Sequence, residues 1–310
     1  MIYQNRFKIY FYLTLFFFAI LLFLKVEYSL SISYKEALNL FENRSILSII
    51  TNISTYFFGQ NDLALRTPFV ILYILSVFLM YKITKNYFKY EKDRFVNILI
   101  FMSLPGVLSA SLLVNTAIIV TFLTLLYIYY YEKYQKHPYI LLPILLLVDN
   151  SFAILFLALF FFSFKTKDRL LLYISVLLFF LSLYIYGFST GGKPKGFLID
   201  TFGIYSAVFS PVLFLYFLYT IYKDMFSSTK SLSWYISFTA LILSIIVSFR
   251  QRVYIEDFAP FVVIFIPSML KQFLSAYRVR LKEFRGTYNI LGILIIFMLS
   301  LNIFLTFINK

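Results

Sequence analysis

Cysteine is absent from this 310-residue chain, histidine and tryptophan occur once each, and Asp plus Glu number 14 against 28 Lys plus Arg. Each shortage closes a class of chemistry. Without cysteine there is no disulfide framework, no thiol nucleophile and no thiolate metal site. One histidine cannot form a histidine cluster. His137, set in EKYQKHPY beside a proline, reads as a polar residue at headgroup level. The Gly191-Gly192-Lys193 stretch falls short of the full G-x-x-x-x-G-K-[ST] phosphate loop. No organic cofactor is expected, and a divalent metal at an all-oxygen site is compatible with the chain without being demanded.

What is present is apolar. Hydrophobic residues make up 61% of the chain, with 40 Phe, 27 Tyr and a mean hydropathy of +0.85. Soluble domains sit nearer about 45–50% apolar. The expectation is an all-α, polytopic helical membrane protein, one integral domain over residues 1–310, with aromatics facing lipid and the headgroup belts. The net charge of +14 would point to nucleic acid in a soluble chain. Here the charges fall in short runs between apolar stretches, so they set orientation and meet anionic lipid heads, and no nucleic-acid partner is expected.

A span needs about 20 apolar residues, fewer when flanking side chains snorkel. Candidates are 9–24, 68–84, 95–112, 114–131, 139–148, 151–164, 170–187, 201–222, 232–249, 258–270 and 288–308, about eleven membrane segments. The first follows Arg6 and Lys8 without a small-x-small cleavage site, so it reads as an uncleaved span. Residues 139–164 divide at Asp149-Asn150-Ser151 into a hairpin, because that division keeps the basic loop 271–285 on the inner side. With the N-terminus inside, 19 of the 28 basic residues are cytoplasmic and 9 lie outside. The expected location is a multi-pass plasma membrane, the bacterial inner membrane.

Between the first two spans, residues 25–67 are too polar to cross and too aromatic to be disordered. They read as an ordered extramembrane platform of short helices on the outer face. It carries Glu36, Asp62 and Arg66. The same face is expected to collect the Gly-rich loop 187–200, with Lys193 and Lys195, and the link RQRVYIED, with Arg250, Arg252, Glu256 and Asp257. Arginine presents a fork suited to phosphate oxygens, so Arg66, Arg250 and Arg252, with the two lysines, are the candidate phosphate ligands. The bland alternatives are an anchor that snorkels at Arg66, an interfacial ion network at 250–257 and a flexible turn at 187–200.

The run FFGQNDLALRTPFVILYILSVFLMYKITKNYF (57–88) joins Phe58-Gly59, Asn61-Asp62, Arg66 and Pro68 to an aromatic, basic end at Tyr81-Lys82 and Tyr87-Phe88. It resembles a recurring segment of the membrane glycosyltransferases of the C superfamily. ISYKEALNLFE (32–42) is similar to the opening of that family's first outer loop, and 104–130 to its third and fourth spans. The likeness covers roughly the first 130 residues. It implies transfer of a sugar from a polyprenyl-phosphate donor to a glycan or lipid acceptor on the outer face. The family's Asp-Glu pair falls on Lys35-Glu36, and its second acidic position on Asn115. Glu36 is then the expected catalytic base, with Glu27 or Asp62 in reserve. Lys35 and Asn115 depart from the pattern, which keeps a second reading open: a catalytically silent subunit or scaffold of the same fold. A transporter or flippase of a lipid-linked solute is the third, although no internal repeat is visible.

Overall fold

The computed structural model describes residues 2–41, 45–187, 196–227 and 230–308, and among them every regular element is helical. In chain order these are α1 (Ile2–Ser29), α2 (Tyr34–Phe41), α3 (Ile46–Phe58), α4 (Asp62–Ile83), α5 (Glu91–Ser103), α6 (Pro105–Leu112), α7 (Ala117–Tyr134) and α8 (Leu141–Val148). There follow α9 (Phe152–Thr166), α10 (Arg169–Tyr186), α11 (Leu198–Phe209), α12 (Pro211–Met225), α13 (Leu232–Ser248), α14 (Ile255–Val262), α15 (Ile266–Val279) and α16 (Gly286–Ile308). The chain forms two compact units, residues 1–122 with 299–310, and residues 123–298.

Five of these stretches are long and apolar enough to cross a membrane, or seven if two bent pairs each count as one span. That replaces the expected eleven. Two of the expected spans are broken by proline. The 95–112 segment turns by 56° where α6 begins at Pro105, and 201–222 turns by 106° at Ser210-Pro211. Proline lacks the N–H an interior turn needs but fits the first position of a new helix, so each break falls there. The expected division at Asp149–Ser151 is present between α8 and α9, but α8 has only 8 residues and α9 15. Both are short of a span of about 20 residues.

In the first unit, α4 is the centre. It packs against α1, α3, α5 and α6, and buries Phe69, Val70, Tyr73, Val77 and Met80. The Tyr73 hydroxyl donates to the Met102 carbonyl at 3.1 Å, so its one polar atom is satisfied inside the core. The outer side of α1 bears Leu13, Phe16 and Phe17, 59%, 67% and 58% exposed. An apolar surface of that extent belongs against hydrocarbon. Lys25, buried near the end of α1, donates to the Phe307 carbonyl of α16 at 3.3 Å. A lysine at a helix C-terminus meets the carbonyls that have no partner within the helix and the negative end of its dipole.

One end of this unit is basic. Phe11 stacks on Tyr81 at 4.1 Å and Phe7 meets Phe95 at 6.1 Å, so the start of α1, the end of α4 and the start of α5 gather there. That end carries Arg6, Lys8, Lys82, Lys85, Lys89, Lys92 and Arg94. Arg94 is clamped. It donates to Glu91 and, at 2.8 Å, to the Tyr81 carbonyl, with its guanidinium 4.1 Å from the Tyr81 ring centre.

The second unit also has a basic end. Lys165 donates to the Lys230 carbonyl, Phe162 meets Tyr235 at 5.4 Å, and Tyr131 meets Phe162 at 5.6 Å. The ends of α7 and α9 and the start of α13 therefore adjoin. At the other end Phe152 meets Phe261 at 6.1 Å, and the Phe197 N–H donates to the Ser248 carbonyl at 2.8 Å.

Candidate functional site

The site grows from the start of α2. Ser33-Tyr34-Lys35-Glu36 has the S-x-x-E form of a capping box. The Glu36 N–H donates to Ser33 Oγ at 3.4 Å, and Glu36 Oε2 accepts the Ser33 N–H at 2.8 Å. The carboxylate does more than cap. Oε2 also accepts from Arg66 Nη2 at 2.8 Å, and Oε1 accepts the Val114 N–H at 3.2 Å. Glu36 is 5% exposed, so it does not lie on a solvated helix face.

Arg66 sits one turn into α4, whose start is capped by Asn61 Oδ1 accepting the Ala64 N–H at 2.6 Å. It is 1% exposed. Nη2 donates to the Ser31 carbonyl at 2.9 Å and Nη1 to the Leu30 carbonyl at 3.4 Å. Asp62 Oδ1 stands 3.9 Å from Nη1, while Arg66 Nε and Asp62 Oδ1 are buried without a hydrogen bond. A buried charge survives only if paired and hydrogen-bonded, and this guanidinium is both. Leu30–Glu36, the first turn of α4 and the turn before α7 are thereby tied through one cation and one carboxylate.

Glu36, Asp62 and Arg66 thus come together. Their roles divide by accessibility. Glu36 is held by three donors and Arg66 by Glu36 and two carbonyls, so both act as a fixed frame. The Asp62 side chain keeps 37% exposure, so it remains in part open to solvent. Asn115 is spent locally: its Oδ1 accepts the Ala117 N–H at 3.2 Å, an Asx-type turn leading into α7. Val114, whose N–H Glu36 accepts, precedes it directly.

Arg250 and Arg252 belong to the second unit, in the link between α13 and α14. Both are exposed, and among the described residues neither makes an ion pair. Lys193 and Lys195 lie outside the described residues. Phe197, just after them, is bonded to the end of α13 two residues before Arg250. Among the described residues no group of three His, Asp or Glu side chains could hold a metal ion. Beside Arg66 stand two carboxylates with a guanidinium between them, which is not a cation cradle.

His137 is more engaged than a headgroup residue. Its Nδ1 lies 2.8 Å from the Tyr127 hydroxyl, and Tyr131 stacks on its ring at 4.5 Å. Tyr139 donates to Asp168 Oδ2 at 2.7 Å. Burial pushes the His137 pKa down, against the opposing pull of the Asp168 charge.

The capping box is legible in sequence; the reach of Glu36 to Arg66 and Val114 is not. No family model matches the chain, and neither curated proteins nor solved structures give a match.

Proposed function

We propose that this protein is a membrane glycosyltransferase that takes a sugar from a polyprenyl-phosphate donor on the outer face of the membrane, with Asp62 accepting the proton of the acceptor hydroxyl. Glu36 and Arg66 are positioning residues that fix the first turn of α4 and the Val114-Asn115 turn around that carboxylate. The observation that carries the reading is the meeting of Glu36 with Val114 beside Arg66. Two places that the family likeness assigns to acids, Glu36 and Asn115, are distant in sequence and adjacent in space.

The basic end of the first unit, which includes Arg6 and Lys8, supports a cytoplasmic N-terminus in a bacterial inner membrane, by the positive-inside bias. Within the second unit, the exposed Arg250 and Arg252 present forked guanidinium groups suited to phosphate oxygens.

The saturation of Glu36, with Asn115 used as a turn cap, favours a second reading: a subunit of the same fold that has lost transfer. Mass spectrometry of cell-envelope glycans, with the gene deleted and then restored as wild type or Asp62→Asn, separates the two. Loss of one sugar on deletion, not restored by Asp62→Asn at normal protein level, is expected. A glycan unchanged by deletion would sink the transferase reading, and full restoration by Asp62→Asn would remove Asp62 from the chemistry.

A further inference from the structure

The two short helices after α1 are inside out for a protein surface in water. Along α3 the buried residues are Ser48, Thr51 and Ser54, which recur every third position. Of the exposed ones, Asn52 is polar and Phe58 ends the helix, while Ile49, Ile53, Tyr56 and Phe57 are 56%, 53%, 85% and 73% exposed and form one apolar stripe. That is the i, i+4, i+7, i+8 stripe of an amphipathic helix, but turned outward. α2 repeats the inversion: Glu36 and Asn39 are buried, whereas Tyr34 and Phe41 are 78% and 76% exposed.

The hydroxyl face of α3 has its partners within the protein. Thr51 Oγ1 donates to the Leu47 and Ser48 carbonyls at 3.1 and 3.0 Å, and Ser54 Oγ donates to the Ala64 carbonyl of α4 at 2.5 Å. Small hydroxyl side chains let two helices approach closely, as they do between helices in lipid. The polar side therefore has no need of water, and no charged residue occurs from Ser45 to Gln60.

We propose that α3, with the outward face of α2, lies in the bilayer at the boundary between headgroups and acyl chains, so that lipid rather than water or another protein covers this shelf. The exposed stripe adjoins a surface that must already meet lipid, because α3 packs on α4, itself long and apolar enough to span, and α4 turns out Ile71 and Leu75. Thirteen residues of helix measure about 20 Å, too short to cross a core of about 30 Å but suited to lying in the interface. The tip Gly59-Gln60-Asn61 marks where the chain reaches water. Gly59 has φ +88°, a backbone angle that glycine adopts freely, and closes the last turn of α3 by donating to the Thr55 carbonyl at 3.0 Å. This inference does not depend on the transferase reading.

The natural absence of cysteine makes the test direct. Ile49→Cys, Ile53→Cys and Gln60→Cys each create a unique site for a nitroxide label, with Tyr56→Cys as a further position should either isoleucine variant fold poorly. The labelled protein is placed in vesicles of phosphatidylethanolamine and phosphatidylglycerol, and collision with oxygen is compared with collision with a neutral nickel chelate. Labels at Ile49, Ile53 and Tyr56 are expected to meet oxygen several-fold more readily than nickel, and Gln60 the reverse. Ready access of nickel to the three apolar positions would overturn the proposal in favour of water. Exclusion of both reagents would overturn it in favour of a second copy or another protein.

Discussion

Glu36 Oε2 and Arg66 Nη2 lie 2.8 Å apart, with the residues 5% and 1% exposed, so neither charge has water to fall back on. The pair ties the segment after α1 to the first turn of α4, and through Val114 to the turn before α7. Separating the partners leaves an ion in an interior that cannot solvate it.

Arg66→Ala strands the Glu36 carboxylate and Glu36→Gln strands the Arg66 guanidinium, so each is expected to cost about 3–5 kcal/mol. The double variant should cost less than the sum, because both changes remove one interaction. Thermal unfolding of the four proteins in one detergent checks this. Strict additivity would show that the ion pair contributes nothing.

Thr51→Leu puts a larger, branched side chain where α3 lies against α4. Overpacking of this kind costs about 1–3 kcal/mol. Ile53→Leu, on the exposed stripe of the same helix, is expected to leave stability unchanged. Equal melting temperatures for the two variants would mean that α3 does not pack by its hydroxyl face.

Arg94→Lys keeps the charge but loses the flat stack on Tyr81 and the fork that reaches both Glu91 and the Tyr81 carbonyl. A loss of about 1–3 kcal/mol is expected for a buried charged group deprived of its bonds. If lysine is tolerated with no shift in melting, the clamp at the basic end is ornamental.

The depressed pKa of His137 gives a pH dependence with a defined sign. The folded protein holds the ring neutral, while the unfolded chain takes up a proton near its ordinary value of about 6.5. This contribution is therefore present above about pH 6.5 and is lost as the pH falls through the lower folded value. His137→Gln should flatten the decline in melting temperature as the pH falls below about 6.5. A decline as steep as that of the wild type would assign it to other groups.

Much of the fold was legible before any coordinates. The all-helical, membrane-type character follows from composition. The break at Asp149–Ser151 follows from polar residues inside an apolar run. Pro105 and Pro211 were equally visible, but an apolar count runs straight through a proline that starts a new helix, and it also takes helices as short as α8, α9 and α13, with 8, 15 and 17 residues, for spans, so the segment number came out too high. In the site, Ser33 and Glu36 carry a local signature, whereas the meeting of Glu36 with Arg66 and Val114 is tertiary and leaves no trace in spacing. The inverted polarity of α3 was written in Ser48, Thr51 and Ser54. A period of three in hydroxyls is easily overlooked when the eye follows hydrophobic residues.

Lys25 reaches from the first helix to the last turn of the final one, at the Phe307 carbonyl. The N-terminal unit therefore cannot reach its finished form until the ribosome has delivered everything between. At about 5–20 residues per second that interval is on the order of ten seconds or longer. During it Lys25 stands without the carbonyl that it meets in the finished fold.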